Sequence, residues 1–141
     1  MGTRAEAAVI LALASLGRDV LVPFGPRRYD VAFEDGEGLR KVQCKAGRER
    51  NGVIQFKTSN TGPGPLRDYR DDAHFFGVYC HARGEVYLVP VADVPSRGAH
   101  LRLRPARNGQ RAGVRMAAPY LIAKDVIPDC IWVPPRLPFD D

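Results

Sequence analysis

Three polar side chains fall on two adjacent segments that otherwise alternate like paired β-strands. The stretch YDVAFEDGEGLRKVQCKAG, residues 29–47, predicts two strands around the turn DGEG, with Asp30 at one end and Gln43 and Lys45 at the other. Alternation puts Gln43 and Lys45 on one face and Cys44 on the core side, and the tight turn brings Asp30 opposite this segment. A carboxylate, an amide oxygen and a lysine are suited to binding a hard cation and activating a water molecule.

A fourth candidate, Glu6, lies in the N-terminal segment. Residues 3–17 predict a helix, because Thr3 and Glu6 fit a capping box and Gly17 is a C-terminal stop. The segment is apolar nearly all round, which predicts a buried helix. Glu6 shares a stripe with apolar residues three, four and seven positions later, and a carboxylate there needs a partner, such as a cation.

Each of these residues also has a purely structural interpretation. Glu6 would then be only the reciprocal partner of Thr3 in the capping box. Asp30 and Lys45 would form a cross-strand ion pair on a solvated face. Gln43 would be an ordinary exposed strand residue.

The remaining elements must position these side chains. Strands are predicted at 19–23, 29–34, 39–46 and 53–56, and FFGVYC and VYLVPV predict a second hairpin. Residues 58–65 predict an exposed loop, and 102–113 a polar, basic segment that leads to a short helix around 119–124. We expect one domain over residues 1–141, with a proline-rich tail from about residue 134.

The charge distribution favours a polyanionic partner. The net charge is +5, and no acidic residue lies between Asp93 and Asp125, where seven lysines and arginines fall. Such a stretch favours nucleic acid, and the alternative is a solvated arginine-rich surface. No apolar run approaches membrane-spanning length, and the three cysteines lack metal-ligand spacing. We therefore expect a cytoplasmic protein with reduced thiols and no membrane contact.

The ordered set of a helix bearing Glu6, then Asp30, then Gln43-Cys44-Lys45 resembles the PD-(D/E)XK nuclease superfamily. In detail it is most similar to the group I intron homing endonuclease branch, in which Gln replaces the Glu of the motif. The likeness covers roughly residues 2–124 and includes NGVIQF and FFGVY. Tyr29 stands where the family pattern has proline, and Gln43 removes one charge from the site.

The resemblance implies an α/β fold with a restriction-endonuclease-like core, in which helices flank a mixed central β-sheet. It implies a Mg²⁺-dependent endonuclease acting on double-stranded DNA, with Mn²⁺ as a substitute. Glu6, Asp30, Gln43 and Lys45 would be the catalytic residues, and the first three would hold the metal. The expected DNA contacts are Arg48, Arg50, Lys57, Arg107, Asn108, Gln110 and Arg111.

Related functions stay open at this point. The same fold hosts Holliday-junction resolvases and restriction-type nucleases. A DNA-binding module without cleavage is a further alternative, because Gln43 weakens the expected metal site. A structural α/β protein whose basic stretch only aids solubility is another. Since one subunit has one active site and two strands need two, we expect a homodimer or homotetramer.

Overall fold

In a computed structural model of the protein, the described residues are 3–25, 28–60, 67, 68, 73–95, 97–105, 108 and 115–126. They contain one α-helix, α1 (Thr3–Ser15), and 3-10 helices at Val91–Asp93 and Ala118–Tyr120. Ten strands follow in chain order: β1 (Val20–Leu21), β2 (Val31–Asp35), β3 (Gly38–Arg50), β4 (Val53–Phe56), β5 (Ser59–Asn60), β6 (Arg67–Asp68), β7 (Phe75–Cys80), β8 (Glu85–Pro90), β9 (Ala99–Arg102) and β10 (Leu121–Ala123).

Eight of these strands form one mixed sheet. Its main path runs β1-β2-β3-β7-β8-β10, while the end of β3 also pairs with β4, and β4 pairs with β9. The β3–β7 pairing is parallel, and the other pairings along the path are antiparallel. Strands β5 and β6 form a separate antiparallel pair. The expected α/β class with a restriction-endonuclease-like mixed sheet is confirmed, and the described residues place one α-helix against that sheet.

The N-terminal helix covers one face of the sheet. Its buried side chains follow a helical stripe, namely Ala5, Ala8, Val9, Ala12 and Leu13. The helix ends at Ser15, and the predicted stop residue Gly17 (φ 79°) lies in the turn that follows, where the Gly17 amide donates to the Ala14 carbonyl and the Arg18 amide to the Leu13 carbonyl. The expectation of burial nearly all round is wrong, because Ala7 and Ala14 are exposed. The alanines give helix propensity without needing burial.

The β2–β3 hairpin forms with the predicted register. Asp35 pairs with Gly38 across the turn, and Val31 pairs with Val42 at the far end. The Asp30 amide donates to the Val42 carbonyl at 2.9 Å, which extends the pairing one residue beyond β2. Asp30 therefore lies opposite Gln43, as the sequence predicts.

Strand β3 is longer than predicted. It continues past Ala46 to Arg50 and returns as β4 through the turn Asn51-Gly52, in which both residues have positive φ (55° and 76°). An Asn-Gly dipeptide is the preferred sequence for such a two-residue hairpin turn. The same strand thus belongs first to the β2–β3–β7 part of the sheet and then to the β3–β4–β9 part.

Three sequence-based assignments require correction. Thr58 is buried and its hydroxyl donates to the Pro95 carbonyl, and Ser59–Asn60 forms β5, so the start of the segment 58–65 is not an exposed loop. The predicted helix around 119–124 is a single 3-10 turn followed by β10. The predicted strand 19–23 is confined to Val20–Leu21. Local composition, such as the proline and glycine content of residues 58–65, gives the wrong prediction here, because pairing with other strands determines the backbone conformation of these segments.

Another strand, β9, was not predicted. It ends at Arg102, inside the segment expected to be polar and irregular, and pairs with β4 from Val53↔Arg102 to Phe56↔Ala99. The tail from about residue 134 lies outside the described residues. Among the described residues, no helix combines the length and apolar character required to cross a bilayer.

His74 joins the start of β7 to β3. Its Nδ1 accepts a hydrogen bond from the Lys41 amide at 2.9 Å, and its own amide donates to the Lys41 carbonyl. Burial lowers the pKa of His74 below its ordinary value of 6.5, and the nearby charges of Arg40 and Lys41 lower it further, opposed by Asp35. A protonated Nδ1 cannot accept this bond.

We expect acid to weaken this connection. Because the folded-state pKa of His74 is depressed, the stabilisation is fully present above about pH 6.5 and is lost as the pH falls through the folded-state pKa. His74→Asn keeps a hydrogen-bond acceptor that does not titrate in this range. The free energy of unfolding of the variant, relative to that of wild type, should therefore rise modestly as the pH is lowered from 7 to 5. Urea unfolding at both pH values measures this, with the exposed His100→Asn as control; an unchanged difference would contradict it.

Candidate active site at the Asp30 hairpin

Asp30 is held by two hydrogen bonds from β3. Its Oδ2 accepts one from Gln43 Nε2 at 2.9 Å and one from the Cys44 amide at 2.8 Å. The second bond exists because β2 begins at Val31, which leaves the Cys44 amide without a strand partner opposite it. The paired N–H and C=O of a strand residue point to the same side, so the Cys44 carbonyl also lies on the Asp30 side. The structure thus brings Asp30, Gln43 and the Cys44 backbone together.

Lys45 lies beside this group on the same face of β3 as Gln43. Val42 and Cys44 are fully buried on the other face, as predicted, while Gln43 and Lys45 are partly buried. Burial lowers the pKa of Lys45, the Asp30 carboxylate opposes this shift, and the positive charge of Lys57 adds to it. A neutral amine is therefore more accessible at Lys45 than at an ordinary surface lysine.

Glu6 reaches the site from α1. Burial raises the pKa of Glu6, and the negative charge of Asp30 raises it further. Burial also raises the pKa of Asp30, against the Cys44 hydrogen bond and Lys45. The Asp30 carboxylate therefore acts electrostatically on Glu6.

A close approach between α1 and β7 fixes where Glu6 lies. Gly77 of β7 pairs with Cys44 of β3, and a Cβ at Gly77 would lie 2.8 Å from Cγ1 of Val9. At a distance below 3.0 Å the neighbouring atoms must shift, and those atoms belong to the branched side chains of Val9 and Val42. Glycine at this position therefore allows α1 to pack directly against the strands that carry Asp30 and Gln43.

The donor set fits a hard divalent cation. It consists of carboxylate oxygens from Asp30 and Glu6, the Gln43 amide oxygen that does not contact Asp30, and the Cys44 carbonyl, all of which are oxygens. Burial is the main cause of the raised pKa of both carboxylates, and a cation bound beside them would favour their charged forms. Within the described part of the chain, no three His, Cys, Asp or Glu side chains form a metal-binding group, and the Gln43 side chain and the Cys44 backbone are the further groups beside Asp30.

The residues predicted to contact DNA fall into two groups. Arg48, Arg50 and Lys57 are exposed near the far end of β3 and just after β4. Arg107, Gln110 and Arg111 lie outside the described residues. Asn108 is described as an exposed turn residue.

Sequence reasoning missed the proximity of Lys57 to Lys45. Arg48 pairs with Gln55 in the β3–β4 hairpin, and continuing this register puts Lys57 opposite Ala46, the residue after Lys45. The Asn51-Gly52 dipeptide was the available signal, because a two-residue turn there fixes the register of β4 along β3. Lys57 is therefore part of the electrostatic environment of the site.

Comparisons with known proteins agree with this geometry. A family model of PD-(D/E)XK endonucleases matches residues 1–123. The structure is similar to that of the bacterial homing endonuclease I-Ssp6803I, with a TM-score of 0.64, 26% sequence identity and 83% of each chain covered. No match was found among curated protein sequences. The match over most of the chain, on a fold that presents the ordered Glu, Asp and Gln-x-Lys set, shows that this protein belongs to the PD-(D/E)XK endonuclease family.

Proposed function

We propose that the protein is a Mg²⁺-dependent endonuclease that hydrolyses phosphodiester bonds in double-stranded DNA. The observation that carries this proposal is the Asp30 carboxylate, oriented by Gln43 and Cys44 at the end of a hairpin that also carries Lys45. The similarity to a homing endonuclease supports DNA as the substrate. The positive net charge of +5 supports a polyanionic substrate in general.

Each side chain has a definite part in this proposal. Asp30 would be the main charged ligand, Glu6 would act in its support, and Gln43 would supply a neutral oxygen. A bound Mg²⁺ would polarise the phosphate and acidify a water molecule, and Mn²⁺ would substitute for it. Gln43 also donates to Asp30, which fixes the direction of the other carboxylate oxygen.

Lys45 would orient or deprotonate the attacking water molecule. A lysine whose pKa is lowered by burial is able to accept a proton from water, and in its charged form it offsets the phosphate charge. The Cys44 thiol takes no part in this proposal. Burial raises its pKa, and the charges of Asp30 and Glu6 raise it further, so it stays protonated at neutral pH.

Nicking of supercoiled plasmid tests the activity directly. We expect nicked and linear products with Mg²⁺ and none with excess EDTA. Linear duplexes and four-way junctions of matched sequence, assayed in parallel, separate a duplex endonuclease from a junction-resolving enzyme. DNA binding without any metal-dependent cleavage would instead support a DNA-binding module. The observation that favours this alternative is Gln43, which stands where the family motif has a glutamate and so removes one charge from the metal site.

Gln43→Ala should weaken metal binding at the site, and Gln43→Glu should strengthen it. Gln43→Ala removes an oxygen and the hydrogen bond to Asp30, so the Mg²⁺ concentration for half-maximal cleavage should rise by about tenfold or more. Gln43→Glu places a second carboxylate next to Asp30. It should be less stable without metal, because like charges repel, yet gain more thermal stability from added Mg²⁺ than wild type.

Thermal unfolding with and without Mg²⁺ measures this without relying on activity. Asp30→Asn serves as the control, because it should abolish the Mg²⁺-dependent rise in melting temperature. A wild-type metal dependence in Gln43→Ala would remove Gln43 from the proposed ligand set and leave it as an ordinary strand residue.

Cleavage of both strands implies more than one copy of the chain. One chain carries one Asp30 site, so two strands cut at one locus require two sites. We therefore propose a homodimer or homotetramer. Sedimentation equilibrium with and without duplex DNA distinguishes these assemblies from a monomer.

A further inference from the structure

The far end of β3, with β4 and β9, forms a three-stranded antiparallel sheet whose two faces differ in chemistry. Along β4 and β9 every second side chain is buried, namely Ile54, Phe56, Ala99 and Leu101. The side chains between them point to the opposite face, where Gln55 and His100 are exposed and Val53 and Arg102 are partly buried. The observed strand pairings then determine which of these residues are neighbours.

Those pairings place polar and cationic side chains in two rows. Arg48 pairs with Gln55, and Gln55 pairs with His100, so these three side chains lie side by side across the three strands. The neighbouring row is Arg50, Val53 and Arg102. Lys57 lies between the buried Phe56 and Thr58 and so continues the exposed column of β4. We call this surface the basic face; its polar members are Arg48, Arg50, Gln55, Lys57, His100 and Arg102.

Glu49, the acidic residue at the far end of β3, points away from the basic face. Glu49 lies between Arg48 and Arg50, so alternation directs it to the other side of β3. There it approaches Arg83, with Oε1 3.8 Å from Nη1. The described residues of the basic face therefore carry positive charge with no carboxylate among them. Among the described residues, helix α1 packs against β1, β2, β3, β7, β8 and β10, while Arg48, Gln55 and His100 are exposed.

The dimensions and chemistry of this face match duplex DNA. Neighbouring strands lie about 4.8 Å apart, and a DNA major groove about 12 Å wide admits a two-stranded ribbon, so β4 fits in a groove together with either β3 or β9. Cations at both edges of a row suit the two phosphate backbones that border a groove. A glutamine at the centre has the donor and acceptor pair that recognises an adenine edge.

We propose that the basic face binds duplex DNA beside the cleavage site, with Arg48, Arg50 and Arg102 on phosphates and Gln55 contacting base edges. The proposal rests on the proposed function and deepens it by assigning a recognition surface and a specificity-determining residue. Lys57 connects this surface with the active site. It belongs to the exposed column of β4, and its positive charge lowers the pKa of Lys45. The side chains of Arg48 and Lys45 project from opposite faces of β3. A duplex that contacts both residues must therefore pass the end of β4, where Lys57 lies.

Equilibrium binding to a labelled duplex in EDTA tests the phosphate contacts without cleavage. Arg48→Ala/Arg50→Ala should weaken binding on the order of tenfold at 0.15 M salt and lower the slope of log K against log salt by about 1.8. Arg18→Ala/Lys124→Ala is the matched control, because it removes the same charge from exposed positions outside the basic face. A control that loses as much slope as the test variant would overturn the assignment.

Selection from a randomised duplex pool, also in EDTA, tests the reading of bases. Wild-type protein should enrich a preferred sequence, and Gln55→Ala should lose preference at one or two positions by about fivefold to a hundredfold while keeping its salt slope. Identical preferences in the variant would overturn the role of Gln55. Tighter binding to single strands or RNA than to duplex would overturn duplex DNA as the partner.

These results separate this inference from the proposed function. If the wild-type protein nicks plasmid with Mg²⁺ but the arginine variant binds with unchanged affinity and slope, the basic face is refuted and the nuclease stands. If the wild-type protein binds duplex DNA through this face but never cleaves, the nuclease proposal fails and the surface stands. Absence of any duplex binding by wild-type protein would remove both.

Discussion

Asp30→Asn is expected to lower the rate of plasmid cleavage by about three powers of ten, or roughly 4 kcal/mol of transition-state stabilisation. The asparagine oxygen is still able to accept the hydrogen bonds from Gln43 and the Cys44 amide, so the hairpin should keep its geometry. What is lost is the negative charge that a divalent cation requires. Initial nicking rates at saturating Mg²⁺, together with a circular dichroism spectrum and melting curve, give the measurement.

Glu34→Gln is the matched control for this substitution. Glu34 is an exposed carboxylate in β2, four residues after Asp30. It undergoes the same chemical change without touching the site, so its cleavage rate should stay near that of wild type. A folded Asp30→Asn protein that cleaves at a near-normal rate would falsify the active-site assignment.

Lys45→Met should also remove most of the activity, by roughly two to four powers of ten. Methionine keeps an unbranched apolar stem in the partly buried position but cannot exchange a proton or offset phosphate charge. The fold should persist, because the lowered pKa of Lys45 indicates that burial disfavours its charge there. DNA affinity in EDTA should fall only modestly, since one phosphate contact is lost.

Lys41→Met provides the comparison for Lys45. Lys41 lies on the same face of β3, four residues earlier, with its ammonium group 5.4 Å from the ring centre of Tyr29. It carries the same charge on the same strand, but Lys45 is the lysine whose charge lowers the pKa of Asp30. Equal losses of cleavage in the two variants would show that general charge on β3, rather than a particular role for Lys45, supports the reaction.

The local part of the site was predictable from sequence. The DGEG turn fixes the β2–β3 register, and the register alone places Asp30 opposite Gln43. Gly17 similarly marks the end of α1. In each case, residues close in the chain determine the outcome through turn or cap chemistry, so alternation and spacing were sufficient.

The non-local part was not predictable by the same means. Strand β9 lies in an arginine-rich stretch whose composition suggests an irregular segment, and only pairing with β4 makes it a strand. Leu121 to Ala123 becomes a strand because β8 pairs with it. The contact between Gly77 and Val9 joins residues from opposite halves of the described chain. None of these pairings leaves a local signature in the residues concerned.

The alternation of β4 and β9 has a consequence for how this protein is able to diversify. Inward side chains such as Ile54 and Leu101 hold the core, while their outward neighbours Gln55 and His100 contribute nothing to it. Substitutions at the outward positions can therefore accumulate without loss of fold. Gln55 and His100 are also separate from Asp30 and Lys45, whereas the outward Lys57 is not, because its charge acts on Lys45. If the basic face reads DNA as proposed, a protein engineer is able to vary Gln55 and His100 to change the target sequence while the hairpin that carries Asp30 and Lys45 stays as it is.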